Sequence, residues 1–386
     1  MRKVLPAIIL AAGAFFLTMG LLFRFYAYPK LAVVPVDQNS QQVAYDPNAK
    51  YADVKAIKKK GPFETSGPIT TTATVIGNKE ASENASEQTG KDLAVWQTGQ
   101  YTVNDDPEPP PMDGKKAIIV FDRHTGEAVN CCGESQDDQD VAHKGQLVKW
   151  PFRTEQKTYE YWDATTEKAY PATYKGTESI DGLTVYRFEQ DVPKTKFMTQ
   201  EVPRFIYKPG DKGGPVQTDR YYSNHRTFWI EPETGVMIKL QEEQKQTLEA
   251  TGYRTITALE TTSTFTEDTV KKNVDEYKSK ATALKAVRLW APLALSLLGA
   301  LLLLGGLLMA VLSGRRGQAV DDPGYVIRRG RPPRRRRPSP PTTAERSQQR
   351  MRAVVTGGAG FIGHGIESSC VGFRRRLTHG IISVAK

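Results

Sequence analysis

The sequence predicts a β-rich, antiparallel α+β extracytoplasmic domain held between two transmembrane α-helices, with a basic disordered tail at the C-terminus. Three observations predict it. Two apolar runs without a single charge, Val4 to Phe23 and Leu289 to Leu312, divide the 386-residue chain. Between them, residues rich in Thr, Val, Tyr and Phe alternate with polar ones at the period of two that a half-buried strand requires. Beyond the second run, Arg and Pro replace apolar residues.

Residues 1–27 form a short tail and the first span. The run Val4 to Phe23 has 20 residues, and at ~1.5 Å per residue it crosses roughly 30 Å of hydrocarbon. Its end, Leu22-Phe23-Arg24-Phe25-Tyr26, lacks the small residues of a cleavage site, so the run reads as an uncleaved anchor. Residues 287–314 form the second span, with 24 uncharged residues from Leu289 to Leu312, Trp290 at one interface and Arg315-Arg316 closing it. Small residues spaced by four, Ser296 with Ala300 or Gly306 with Ala310, are candidate pairing positions. Arg2 and Lys3 before the first span and the arginines after the second place both termini in the cytoplasm of a plasma-membrane protein, with residues 28–286 outside.

The net charge of +10 belongs to the tail. Residues 315–386 carry 16 Lys and Arg against 4 Asp and Glu, so the tail accounts for +12 and the remainder for −2. Such a tail is drawn to anionic headgroups of the inner leaflet. Its Arg334-Arg335-Arg336-Arg337 run is Pro-rich and has no interleaved aromatics, which favours membrane lipids over nucleic acid as the partner.

In residues 28–286, strands are expected at 70–77, 99–104, 116–122, 183–189, 227–231, 236–240 and 253–265. Residues 78–115 are polar and read as a surface excursion, stiffened by Pro107 to Met112. Residues 267–286 read as a charged helical stalk leading into the second span. Two segments look like copies of one hairpin: Val120-Phe121-Asp122-Arg123-His124-Thr125-Gly126-Glu127-Ala128-Val129 and Trp229-Ile230-Glu231-Pro232-Glu233-Thr234-Gly235-Val236-Met237-Ile238. In each an apolar strand meets an acid, then Thr-Gly, with Gly supplying the positive φ of a bulged loop. The second phrase resembles one in bacterial lipid-carrier folds, where a curved antiparallel sheet wraps acyl chains. Aromatics are dense from Trp150 to Trp229 and read first as core packing, second as a ligand groove.

Chemistry-bearing groups are sparse. Adjacent Cys131 and Cys132 are a disulfide candidate or two free thiols. Metal binding needs more ligands than the nearby His124 and His143 supply. The acidic run Asp137-Asp138-Gln139-Asp140 lacks the glycine and distal glutamate of a calcium loop and reads as solvated. His124, His143 and His225 have no recognisable nucleophile motif around them. No enzyme, resident cofactor or metal is therefore expected.

Residues 315–350 form the Arg/Pro-rich tail, and 351–386 begin as another protein would. Met351-Arg352-Ala353-Val354-Val355 reads as a buried strand, and Gly357, Gly360 and Gly363 supply a G-x-x-G-x-x-G turn. This start resembles NAD-dependent sugar epimerases and dehydratases. The helix, second strand and ribose-binding acid that such a site needs do not follow, so the glycines are vestigial. The segment reads as a neighbouring gene's start joined to this one and then thrown out of frame.

Taken together, the anchors, the phrases Phe121 to Gly126 and Asn130-Cys131-Cys132-Gly133, and then Lys149-Trp150-Pro151-Phe152 with Tyr161-Trp162-Asp163 resemble an actinobacterial membrane family, the porin PorA family, over residues 1–314. The resemblance implies no catalytic residues and a channel built by oligomerised helices. The residues alone favour a different expectation: a non-enzymatic, membrane-anchored envelope protein whose outer domain binds a lipid, a glycolipid or an envelope partner. A channel is the alternative. The sequence leaves the oligomeric state open.

Overall fold

The computed structural model describes residues 4–53, 55, 63–105 and 111–315. Twelve strands form one sheet: β1 (Asn39–Ala52), β2 (Glu64–Gly77), β3 (Leu93–Asn104), β4 (Asp113–Asp122), β5 (Ser135–Gln136), β6 (Gln139–Asp140), β7 (Tyr159–Asp163), β8 (Lys168–Ile180), β9 (Leu183–Val202), β10 (Val216–Glu231), β11 (Val236–Glu249) and β12 (Ile256–Phe265). The order is β6-β5-β4-β3-β2-β1-β12-β11-β10-β9-β8-β7, and every neighbouring pair is antiparallel. The chain thus runs as two meanders that meet where the first and last long strands pair. That pairing places both flanking helices at the centre of the sheet. Helix α1 (Val4–Leu22) precedes β1, and β12 leads into α3 (Glu267–Lys285) and α4 (Ala291–Arg315).

The outer edges of the sheet also approach one another. Gln146 makes an antiparallel bridge to Glu127 beyond β4 and a parallel bridge to Tyr161 in β7. The curved sheet is therefore tied across its edges by the loop from β6 to β7. That loop is clamped by the two hairpin copies. A Cβ on Gly126 would come within 2.8 Å of the Lys149 carbonyl oxygen, and one on Gly235 within 2.1 Å of the Trp150 carbonyl oxygen. Both glycines have φ of +72°, which gives the turn its shape and lets the loop pass at van der Waals distance. The acids cap these turns: Asp122 Oδ1 accepts from the amides of His124 and Thr125, and Glu231 accepts from those of Glu233 and Thr234. A third copy lies at the β7–β8 turn, where Asp163 accepts from Thr165 and Thr166 and Glu167 takes the positive φ.

Trp150, at the middle of the clamped loop, is fully buried. Its ring stacks on Tyr161 at 5.0 Å and meets Phe228 edge-on at 4.9 Å, with Phe188 behind. The dense aromatics are thus largely core.

Two sequence expectations change here. Residues 78–115 are not a plain surface excursion: they contain α2 (Lys79–Thr89) and all of β3, where Leu93 to Trp96 are buried. Asn78 caps α2 by accepting from Ala81 N, and Gly90 ends it in the left-handed conformation. Its polar sequence KEASENASEQT buries only small residues; Ser82 Oγ accepts from Val95 N at 2.9 Å, which docks the helix onto β3. The strands are also longer than their branched or aromatic stretches, and β1 and β8 arise without such a signal.

Helices α1 and α4 are long and apolar enough to cross a membrane. They pack through glycine. A Cβ on Gly13 would lie 2.9 Å from the Gly299 carbonyl oxygen, one on Gly20 would meet Ser296 Oγ at 2.7 Å, and one on Gly306 would meet Leu10. Of the two candidate pairings, Ser296 and Gly306 lie at the contact, against Gly20 and Leu10 of α1 respectively.

Candidate functional site

Between the curved sheet and α3 lies a cavity of about 680 Å³. Its walls come from the chain just after α1, from the inner faces of β1 to β4, from the clamped loop and from β10 and β11, while α3 contributes Lys272 to Leu284. The stalk is held there by sheet contacts. Thr266 caps it, and Asn273 donates to Gln42 Oε1 at 2.8 Å and to the Ile238 carbonyl at 3.1 Å. Val274 packs with Leu183, Val185 and Ile238.

The cavity is apolar in part, with Trp96, Ile119, Leu147 and Trp162 contributing from a buried cluster. It is also charged. Lys115, Lys116, Lys149, Arg226, Lys272 and Lys280 line it, against the acids Glu242 and Glu276. Arg226 is the most constrained of these. It donates to Glu242 at 2.6 Å, to Gln190 at 3.0 Å and to Tyr222 at 3.0 Å, and it pairs with Asp163 at 2.7 Å. Burial alone would raise the Asp163 carboxyl pKa, but Arg226 and the hydrogen bonds from Thr166 and Tyr222 outweigh it and hold it below the usual range. Asp163 thereby joins the β7–β8 turn to a buried polar network on β10.

Lys149 is 6% exposed, donates to the Trp150 carbonyl at 2.7 Å and stands 3.9 Å above the Phe152 ring. Burial pushes its ammonium down to about 7, against the pull of Asp122 and Glu231. Lys115 is lowered as well, again by burial, and its Nζ meets Thr165 Oγ1.

At the end of the domain nearest the spans, Glu233 accepts from Arg288 Nε at 2.6 Å and Nη2 at 2.7 Å, with Tyr28 at 3.4 Å. Arg24 completes the contact by donating to the Arg288 carbonyl at 3.0 Å. Arg24 and Arg288 lie in π-helical turns, Phe23–Ala27 and Ala286–Trp290, that interrupt the two spanning helices at this level. One hairpin turn of the sheet is thus fastened to both helices.

Cys131 and Cys132 form a disulfide between neighbouring residues on the loop after β4, with Cys131 against the β3–β4 core. Asp137 and Asp138 form the two-residue β5–β6 turn, both at positive φ, and Asp138 pairs with Lys116. His143 is buried, with Nδ1 2.9 Å from Glu134 and its ring edge-on to Trp162. No group of three His, Cys, Asp or Glu side chains able to hold a metal occurs among the described residues. Gly357, Gly360 and Gly363 lie outside the described residues. None of these sequence-flagged groups builds the cavity except His143; Lys115 and Arg226 carried no motif, and Lys149 was quoted only within the Lys149-Trp150-Pro151-Phe152 phrase.

A family model described as Porin PorA matches residues 5–308. The chain belongs to the Porin PorA family. Curated relatives agree at low identity. A Porin PorA of Corynebacterium resistens is 23% identical over 410 residues, covering 82% of this chain and 98% of its own. A Porin PorA of Corynebacterium amycolatum is 22% identical over 298 residues, covering 63% of this chain and 77% of its own.

Membership of the Porin PorA family overturns the lipid- or glycolipid-binding expectation in favour of its alternative, a channel. The physical ground for that expectation is also weakened. The aromatic side chains read second as a ligand groove are largely stacked on one another around Trp150, and the space beside them carries lysine, arginine and glutamate among its apolar walls.

Proposed function

We propose that this chain is a non-enzymatic, porin-type channel protein of the cell envelope. The observation that carries the reading is the match of the Porin PorA family over nearly all the described residues. In this reading α1 and α4 cross the plasma membrane, residues 28–286 stand outside it, and the charged cavity is a water-filled vestibule above the spans. Three features support that division. Large exposed apolar side chains concentrate on the spans, while those on the sheet are scattered singly, as Tyr45, Ile76, Tyr101 and Met198. The sheet therefore lacks the outward apolar band of a transmembrane barrel. Arg288, which with Lys285 opposes this topology at the outer end of the second span, is neutralised by Glu233. One pair of close-packed helices leaves no room for water between them, so the pore itself is formed by several copies.

Planar-bilayer recording from purified full-length protein tests the proposal. Stepwise conductance is expected. A silent bilayer, under conditions where a control channel inserts, would count against it.

A further inference from the structure

The bond between Cys131 and Cys132 adds little stability as a crosslink. It joins adjacent residues and encloses no intervening chain, so the loop-closure entropy it removes from the unfolded state is near the minimum for any disulfide. Its surroundings suit a reagent better. Cys131 packs against the cluster of Leu93 and Val120, whereas Cys132 is exposed. Cys132 and Gly133 both have left-handed φ, +63° and +80°. Glycine takes that conformation freely, but at Cys132 it is a strained backbone that the ring to Cys131 holds in place. The next residue is Glu134, whose carboxylate accepts from Asn130 Nδ2 at 2.8 Å and lies 2.9 Å from His143 Nδ1; Asn130 also donates to the His143 carbonyl at 2.7 Å. The His143 side chain is buried, its Nε2 has no partner, and its ring stands edge-on to Trp162 at 5.1 Å in the cavity wall. Glu134 is therefore the one polar contact of that ring among the described residues.

We propose that the Cys131–Cys132 bond is a redox-active site, reduced by a small dithiol through Cys132, and that reduction releases Glu134 from His143 and loosens the cavity wall. A thiolate of the dithiol attacks Cys132 Sγ, the protein S–S bond breaks, and Cys131 leaves as a thiolate. The second thiol of the reagent then displaces Cys132 from the mixed disulfide. The reagent ends as its own cyclic disulfide, two electrons and two protons pass to the cysteines, and exchange with a disulfide oxidant restores the bond. Without the ring, Cys132 relaxes toward negative φ. The turn has room for that rotation, since even a Cβ at Gly133 would meet nothing within 4 Å. The rotation draws Glu134 away from the imidazole. A buried ring without a polar partner is costly, so water follows it into the wall beside Trp162. None of these steps depends on conduction.

Alkylation and hydrogen exchange of the full-length protein in nonionic detergent test the proposal, in a C370S background so that only the pair reports. Under native conditions dithiothreitol should open both cysteines to N-ethylmaleimide, and oxidised glutathione should close them again. In the reduced protein the amides of 141–148 and 159–163 should exchange about tenfold faster or more, while those of β10 and β11 stay unchanged. E134A should show the fast exchange with the bond intact, and C131S/C132S should show it with or without dithiol. Cysteines that stay blocked until the protein is unfolded overturn the proposal. So does a reduced pair with unchanged exchange at 141–148, or an E134A variant that exchanges as slowly as the oxidised wild type.

Discussion

At the scale of single residues, the turns show how much one Cβ decides. Gly235 and Gly133 share a left-handed φ, of +72° and +80°, but only Gly235 has a neighbour in the way. Adding a methyl at Gly133 meets nothing within 4 Å, so G133A should cost only the conformational term, about 1 kcal/mol. G235A must also push back the Trp150 carbonyl, which is backbone and anchors the core loop, so a loss of more than about 3 kcal/mol is expected. Thermal melts of the two variants in detergent check the contrast. Lys149 sets a pH dependence. Its folded pKa is depressed, to about 7, so between there and the usual lysine range the unfolded chain binds more protons than the folded one. Stability from this group therefore rises with pH across that window and is lowest below it. K149M should melt higher than the wild type at pH 6, with the gap closing toward pH 10. A constant gap would mean that Lys149 is not charged at a cost.

At the scale of elements, the Glu233–Arg288 pair is the joint between sheet and spans. Both side chains are largely buried, and the arginine is bidentate. Removing one partner strands the other charge, so E233Q should cost about 2 kcal/mol. The exchanged double variant E233R/R288E should recover most of the loss, as read from melting temperatures in a four-member cycle. What could be read from sequence at this scale followed side-chain type. Strands with branched and aromatic alternation, such as β4 and the first part of β9, were legible. Strand β1 was not, because its Asp46-Pro47-Asn48 breaks the pattern; the structure places a bulge there, with Asp46 accepting from Thr261 and Thr262 of the central partner strand. Helix α2 was missed because it docks through Ser82 and Ala85, which leave no apolar stripe. The third turn copy was hidden because Glu167 stands where the others have glycine.

At the scale of the whole molecule, the meander order explains why the spans are neighbours. The first and last strands pair at the sheet centre, so α1 and α4 leave the domain side by side and pack through Gly13, Gly20 and Gly299. The two long apolar helices were legible from hydropathy alone. The cavity was not, because its walls come from segments far apart in sequence, β1 to β4, the clamped loop, β10, β11 and α3. In the proposed topology two tasks that a bacterial outer-membrane barrel combines are separated: helices meet the lipid and strands enclose the cavity. The most direct test of that division is planar-bilayer recording from the full chain carrying I76E and Y101E, two charges on the exposed face of β2 and β3. If the helices cross and the sheet stays in water, insertion and step size match the wild type. If the double variant no longer inserts while the wild type does, the strands face lipid and the account is wrong.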